Sequence, residues 1–113
     1  MAPTPDDEAY DVSIDSSTIS VNSNTVAGAL NGLATLLQLL ECNTGQEGCY
    51  YPSGPYTIND VPKFSSRGVM LDVARNFISV EKIKKIIDAM SRVKLNLLHL
   101  HLSDSQSWPL EIE

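Results

Sequence analysis

The side chains best suited to chemistry gather in the second half of this chain. Asp72, Arg75 and Asn76 end or follow one short apolar run, and His99, His101, Asp104 and Gln106 end or follow another. Arg75 offers a planar fork of donors that suits neighbouring hydroxyls, as on a sugar, or a carboxylate. Its plainer role is a salt bridge to Asp72. His99-Leu100-His101 puts two imidazoles on one side of an extended segment, and Asp104 three residues later raises the question of a metal. No third strong ligand stands near them in the sequence, so hydrogen-bonded histidines are the better reading and no metal is expected. Asp104 suits a supporting part, orienting a catalytic group carried by another strand.

The elements that would position these residues are a strand, a helix and a second strand. Val69-Met70-Leu71-Asp72-Val73 is an apolar run with little alternation, as in a strand covered on both faces of a parallel sheet. Ser79 is placed to cap the helix that follows, with Glu81 in its first turn. Val80, Ile83, Ile86, Ile87, Met90 and Val93 recur at helical spacing, leaving Lys82, Lys84, Lys85 and Arg92 to water. Leu95 to Leu100 form the second strand, completing a unit of thirty-odd residues whose strands run parallel. In such units the loops after the strands share one cleft, where the candidate residues fall.

The first half reads as a small strand-and-helix domain. Tyr10, Val12 and Ile14, then Ile19 and Val21, alternate with polar residues as a strand pair requires, with the turn at Asp15-Ser16-Ser17. Val26, Leu30, Leu33, Leu37 and Leu40 line one face of a helix capped by Asn24 or Thr25, a face that predicts a core helix. Gly28 and Gly32 weaken that helix by about 1 kcal/mol each relative to Ala, so their lack of side chains is expected to serve close packing on the strands. From Glu41 to Pro62 the Pro- and Gly-rich composition predicts a linker, with Tyr50, Tyr51 and Tyr56 packed over a domain junction. Six residues separate Cys42 from Cys49, a stretch short and Gly-rich enough for a local disulfide, with two free thiols as the alternative. Zinc is not expected there, since two further ligands are absent around the pair.

Composition excludes several partners. The 113 residues carry 14 acidic against 8 basic side chains, a net charge of −6, and the only adjacent basic pair is Lys84-Lys85. That is no footprint for nucleic acid or anionic lipid. No apolar run approaches the ~20 residues that span a bilayer, and the Pro- and Asp-rich start does not read as a secretory signal. There is no Asn-x-Ser/Thr sequon.

Linked motifs then identify a resemblance: Ile58-x-Asp60-x-Pro62-x-Phe64-x-x-Arg67-Gly68, Leu71-Asp72-Val73-Ala74-Arg75-Asn76-Phe77, Ile87-Asp88-Ala89-Met90, Lys94-Leu95-Asn96-Leu97-Leu98-His99-x-His101-Leu102-x-Asp104 and Gln106-Ser107-Trp108-Pro109. Together they resemble glycoside hydrolase family 20 over about half of the chain. The run from Gly28 to Leu39 is similar to the small domain that precedes the barrel in that family. Family members often have His-Trp-His where Leu100 stands here, a second Asp at Ser105 and His-Arg-Gly at Ser66.

The resemblance implies an α/β architecture: a small α+β auxiliary domain with linker at 1–62, then the first strand-helix-strand unit of a (β/α)8 barrel at 63–113. It implies a β-N-acetylhexosaminidase, which removes terminal N-acetylglucosamine or N-acetylgalactosamine from oligosaccharides and glycoconjugates without a cofactor. Arg75 would bind the outer hydroxyls of the terminal sugar. Asp104 would belong to a support network, bonding a histidine that contacts the acid, while Arg67, Asp72, His99 and His101 brace the strand ends. Catalysis would be substrate-assisted, the acetamido oxygen attacking the anomeric carbon. The Asp-Glu pair that serves it lies downstream in the family, and neither Glu111 nor Glu113 stands in its motif. A complete barrel takes ~250 residues, so the chain is expected to be a fragment, inactive and poorly soluble alone. The resemblance further suggests an extracellular or vacuolar/lysosomal site and, since dimerisation is common in the family, a homodimer at full length. The alternative is a truncated, non-hydrolytic carbohydrate-binding protein.

Overall fold

A computed structural model describes residues 4–42, 48–51 and 54–111. The chain folds as two compact units, Met1–Ser65 and Ser66–Glu113.

In the first unit a three-stranded antiparallel sheet is ordered β2-β1-β5, from β1 (Tyr10–Ile14), β2 (Ile19–Ser23) and β5 (Tyr56–Asp60). The alternation in β1 works as expected: Tyr10, Val12 and Ile14 are buried, Asp11 and Ser13 exposed. Asp15 Oδ1 accepts the N–H groups of Ser17 and Thr18, both at 2.8 Å, closing the β1–β2 turn. Helix α1 (Val26–Leu39) starts at Thr25, whose hydroxyl accepts the Gly28 N–H at 3.1 Å. The Tyr10 hydroxyl donates to Asp60 Oδ2 and lies beside Thr35 Oγ1, both at 2.6 Å, tying β1 to β5 and to α1.

Two expectations are corrected here. The leucine face of α1 is not the core face: Val26, Leu30, Leu33 and Leu37 are 77%, 61%, 50% and 70% exposed. The helix lies on the sheet through Gly28, Gly32 and Leu36, spaced four residues apart. A Cβ at Gly32 would stand 2.5 Å from Val21 Cγ1, and one at Gly28 would run into the Ala9 carbonyl. The two glycines make the flat row that lets the helix approach, and this turns the leucines outward. Nor is the segment after α1 only a linker. Tyr56–Asp60 pairs along the whole of β1, with Ile58 opposite Val12. Cys42 and Cys49 face each other across the antiparallel pair of β3 (Glu41–Cys42) and β4 (Cys49–Tyr50) and form a disulfide. Tyr51 and Tyr56 pack against the core of this unit, while Tyr50 is 46% exposed.

In the second unit β6 (Gly68–Asp72) and β7 (Leu97–His101) pair in parallel, connected by α2 (Val80–Arg92). Ser79 holds the N-cap position, but its carbonyl rather than its hydroxyl makes the contacts, accepting from Lys82 and Ile83 at 3.0 Å. Within these residues the strands keep an open side, with Met70 and Leu97 58% and 51% exposed. Arg67 secures the amino ends of the strands. Its Nε and Nη2 donate to the Lys94 carbonyl at 3.0 and 2.8 Å, and its own carbonyl accepts from Asn96 and Leu97. Lys94, at φ 59°, turns the chain out of α2. Among the described residues no helix is long and apolar enough to cross a membrane.

Candidate functional site

The site forms at the carboxyl ends of β6 and β7. The parallel register sets Asp72 opposite His101 and Met70 opposite His99, so residues at both strand ends project from one face of the sheet. Val73 extends the ladder by one bond, its N–H donating to the His101 carbonyl at 3.1 Å. Val73 and Ala74 are then buried, which leaves Arg75 at the surface of the loop.

Asp72 divides its two oxygens. Oδ1 accepts the N–H groups of Ala74 at 3.1 Å and Arg75 at 3.0 Å, fixing the turn, while Oδ2 accepts the Nε–H of Arg75. Such side-chain-to-backbone bonds are why Asp suits the position where a strand ends in a tight loop. The Arg75 backbone N–H, and after it the Arg75 side chain, hold the Asp72 carboxyl below the ordinary carboxylate range.

Asp104 arrives from the loop after β7. The loop is closed by paired backbone bonds between Asp104 and Ser107, at 3.1 and 3.3 Å. Asp104 Oδ2 lies 3.1 Å from His101 Nε2 and 3.4 Å from Arg75 Nε. With Asp104 ionised, His101 must carry a proton on Nε2 to make that bond. Asp104 Oδ1 accepts the Ser105 N–H at 2.6 Å and its hydroxyl at 3.2 Å. The His101 bond, followed by the Ser105 N–H, keeps the Asp104 carboxyl below its ordinary range.

Asp72, Arg75, His101 and Asp104 are thus brought together. His99 stands one strand pair back on the same face, Asn76 and Gln106 are exposed in the flanking loops, and Arg67 is at the other end of the strands. Ser105 is the residue that sequence reasoning passed over as a contributor. The available signal was Asp104 itself, since an aspartate side chain in a loop accepts from neighbouring backbone N–H groups. Among the described residues no group of three or more metal-ligating side chains forms. Arg75, 55% exposed, makes its ion pairs through Nε. Two carboxylates therefore fix the stem of the guanidinium, and the fork of terminal nitrogens is available for a planar array of acceptors.

Comparison with known proteins places this geometry in context. Residues 1–61 match glycosyl hydrolase family 20, domain 2, and residues 64–113 match the glycosyl hydrolase family 20 catalytic domain. A beta-hexosaminidase of Arthroderma benhamiae is 42% identical over 107 residues, covering 94% of this chain and 18% of that protein. Among solved structures, a Flavobacterium johnsoniae chitobiase aligns with a TM-score of 0.84 at 40% identity, over 95% of this chain and 16% of its own. A Streptomyces plicatus N-acetyl-beta-hexosaminidase aligns at 0.77 and 40% identity, over 90% of this chain and 21% of its own. The chain spans about a fifth of the length of the relatives it matches.

Proposed function

The chain belongs to glycosyl hydrolase family 20, and on that footing we propose that the native protein is a β-N-acetylhexosaminidase. It removes terminal N-acetylglucosamine or N-acetylgalactosamine from chitin oligosaccharides, glycoproteins or glycolipids. The observation that carries this reading is Arg75, anchored at Nε by Asp72 and Asp104 at the carboxyl ends of two parallel strands. A guanidinium so placed binds the outer hydroxyls of a non-reducing terminal sugar, and Asp104 with His101 supports the neighbouring acid machinery. Hydrolysis is substrate-assisted: the acetamido oxygen attacks the anomeric carbon, one carboxylate stabilises the charge that develops on it, and a glutamic acid protonates the leaving oxygen. That Asp-Glu pair is proposed to lie on a later strand of the barrel.

The Cys42–Cys49 bridge supports an extracellular or vacuolar/lysosomal setting, because such bonds persist where the environment oxidises thiols. A homodimer is proposed for the full-length protein, to be tested by its mass in solution. The deciding experiment is the size of the native polypeptide together with its hydrolysis of an aryl N-acetyl-β-glucosaminide. A product larger by some two hundred residues or more, as a full barrel needs, and active on that substrate, supports the proposal. A product of this chain's own size that is inactive overturns it. Arg75-dependent binding of N-acetylglucosamine would then make it a non-hydrolytic carbohydrate-binding protein.

A further inference from the structure

We propose that Asp72 is a positioning residue for sugar recognition: by holding Nε of Arg75 it presents the two terminal nitrogens of the guanidinium to the ligand. The inference rests on the reading of this site as an N-acetylhexosamine subsite, and it gives Asp72 a task beyond bracing its strand.

Three features lead there. First, Asp72 is the last residue of β6, locked in register opposite His101, so its position is set by the sheet rather than by a loop. Sites carried on regular elements hold their geometry more closely than sites carried on loops. Second, the division of labour between its oxygens is complete, with Oδ1 engaged by the Ala74 and Arg75 backbone and Oδ2 by Arg75 Nε. The same side chain therefore shapes the loop that carries Arg75 and orients the Arg75 side chain. Third, both ion pairs of Arg75 are made through Nε. Of the five N–H donors of a guanidinium this commits one and leaves the four on the terminal nitrogens for a ligand.

A long, half-exposed arginine ordinarily loses side-chain freedom when it binds, which weakens the complex. Anchoring Nε before the ligand arrives removes much of that loss. Asp104 is the weaker anchor, because it stands 3.4 Å away and the same oxygen also serves His101.

The test is a double-mutant cycle in the native full-length protein, using Asp72→Asn, Arg75→Ala and the pair. Kinetics on an aryl N-acetyl-β-glucosaminide are followed together with the melting temperature. Asn keeps an oxygen for the two backbone N–H groups and replaces the carboxylate oxygen that Arg75 needs. Asp72→Asn is expected to lower kcat/KM about 10- to 100-fold, mostly through KM, the range for losing a hydrogen bond to a charged group. In the Arg75→Ala background the same change should alter kcat/KM by less than about twofold, because its route of action is gone. Losses that multiply in the double variant, or an Asp72→Asn enzyme with the parent KM, overturn the inference. If the Asn variant does not fold, Asp72→Ser serves the same cycle, since its hydroxyl also accepts from backbone two residues on. An inactive parent protein removes the hexosaminidase reading and this inference with it. An active parent with an indifferent Asp72 removes this inference alone.

Discussion

Arg75 and Asp104 come from loops that follow different strands, yet Nε of one and Oδ2 of the other stand 3.4 Å apart. The contact joins the two strand ends through charge and makes Arg75 the point at which both loops report on one another. Replacing Arg75 should therefore do more than remove a ligand contact. In the native protein Arg75→Ala is expected to lower kcat/KM on an aryl N-acetyl-β-glucosaminide by about 100-fold or more, the scale of losing paired charge-assisted bonds. Arg75→Lys should recover little of it, because an ammonium cannot bond two carboxylates at its stem and a ligand at its tip. Steady-state kinetics of the two variants would check this, and a Lys variant near parent activity would refute it.

Acid should act on the same contacts. Asp72 and Asp104, together with Asp7 and Asp15 in the first unit, are held below their ordinary value of 3.8 by hydrogen bonds to their ionised forms. A carboxyl lowered in the folded state adds stability that is fully present above its unfolded value and is lost as pH falls through the folded one. Stability contributed by these groups is thus expected to be level above about pH 4 and to decline below it. Thermal melts from pH 7 to pH 2 should show the decline, and Asp72→Asn should make it shallower.

Ser105 offers a sharper electrostatic test. Its N–H and hydroxyl both donate to Asp104 Oδ1. Ser105→Asp, which restores the second acid common in the family, removes the hydroxyl donor and sets a like charge beside Asp104. The Asp104 carboxyl should then titrate at higher pH. Carbon-detected NMR titration of its side chain would follow the shift, and an unchanged or lowered midpoint would contradict the stated geometry.

In the first unit the sensitive positions are the glycines beneath α1. Gly32→Ala gains about 1 kcal/mol of helix propensity if nothing else changes. The added methyl, however, meets Val21 at 2.5 Å and Tyr10 at 3.2 Å, and Val is stiff about its first torsion. Overpacking of this kind costs about 1–3 kcal/mol, so a net loss is expected. Gly28→Ala should be worse, because there the obstacle is backbone. A rise in melting temperature at either position would show that the helix does not sit so close.

The outward row of α1 should govern solubility instead. Leu30 and Leu37 are 61% and 70% exposed, part of an apolar stripe on a helix with no charged residue. The isolated 113-residue chain is expected to aggregate through this stripe and through the open face of β6 and β7. Leu30→Lys with Leu37→Lys should raise the soluble fraction, measured by centrifugation, without lowering the melting temperature. A fall in melting temperature would mean that these leucines are packed.

How far the sequence disclosed this arrangement differs from element to element. β1 was legible because its alternation has one buried side, and the β6–α2–β7 unit because apolar runs of strand length flank a helical period. The facing of α1 was not legible. Periodicity identifies a row of leucines, but which row meets the sheet is decided by how closely the backbone can approach, and two glycines outweighed four large side chains. Tyr56–Asp60 alternates Tyr56, Ile58 and Asp60 as a strand should, yet the Gly- and Pro-rich residues around it have the composition of a linker. At the site, Asp72 was recognisable as a strand-end residue, and Arg75 and Asp104 as residues of the loops after the strands. Their convergence on one nitrogen depends on strand register, which only pairing in space defines.

The order β2-β1-β5 also bears on how this unit is made in the cell. β1 is the middle strand of its sheet and precedes its neighbour β5 by more than forty residues, so one side of it stays open until Tyr56–Asp60 has been synthesised. At translation rates of ~5–20 residues per second that is a delay of roughly 2 to 10 s. Through that interval Tyr10, Val12 and Ile14 have only β2 and α1 for cover, and the edge of β1 that will pair with β5 keeps its backbone groups open.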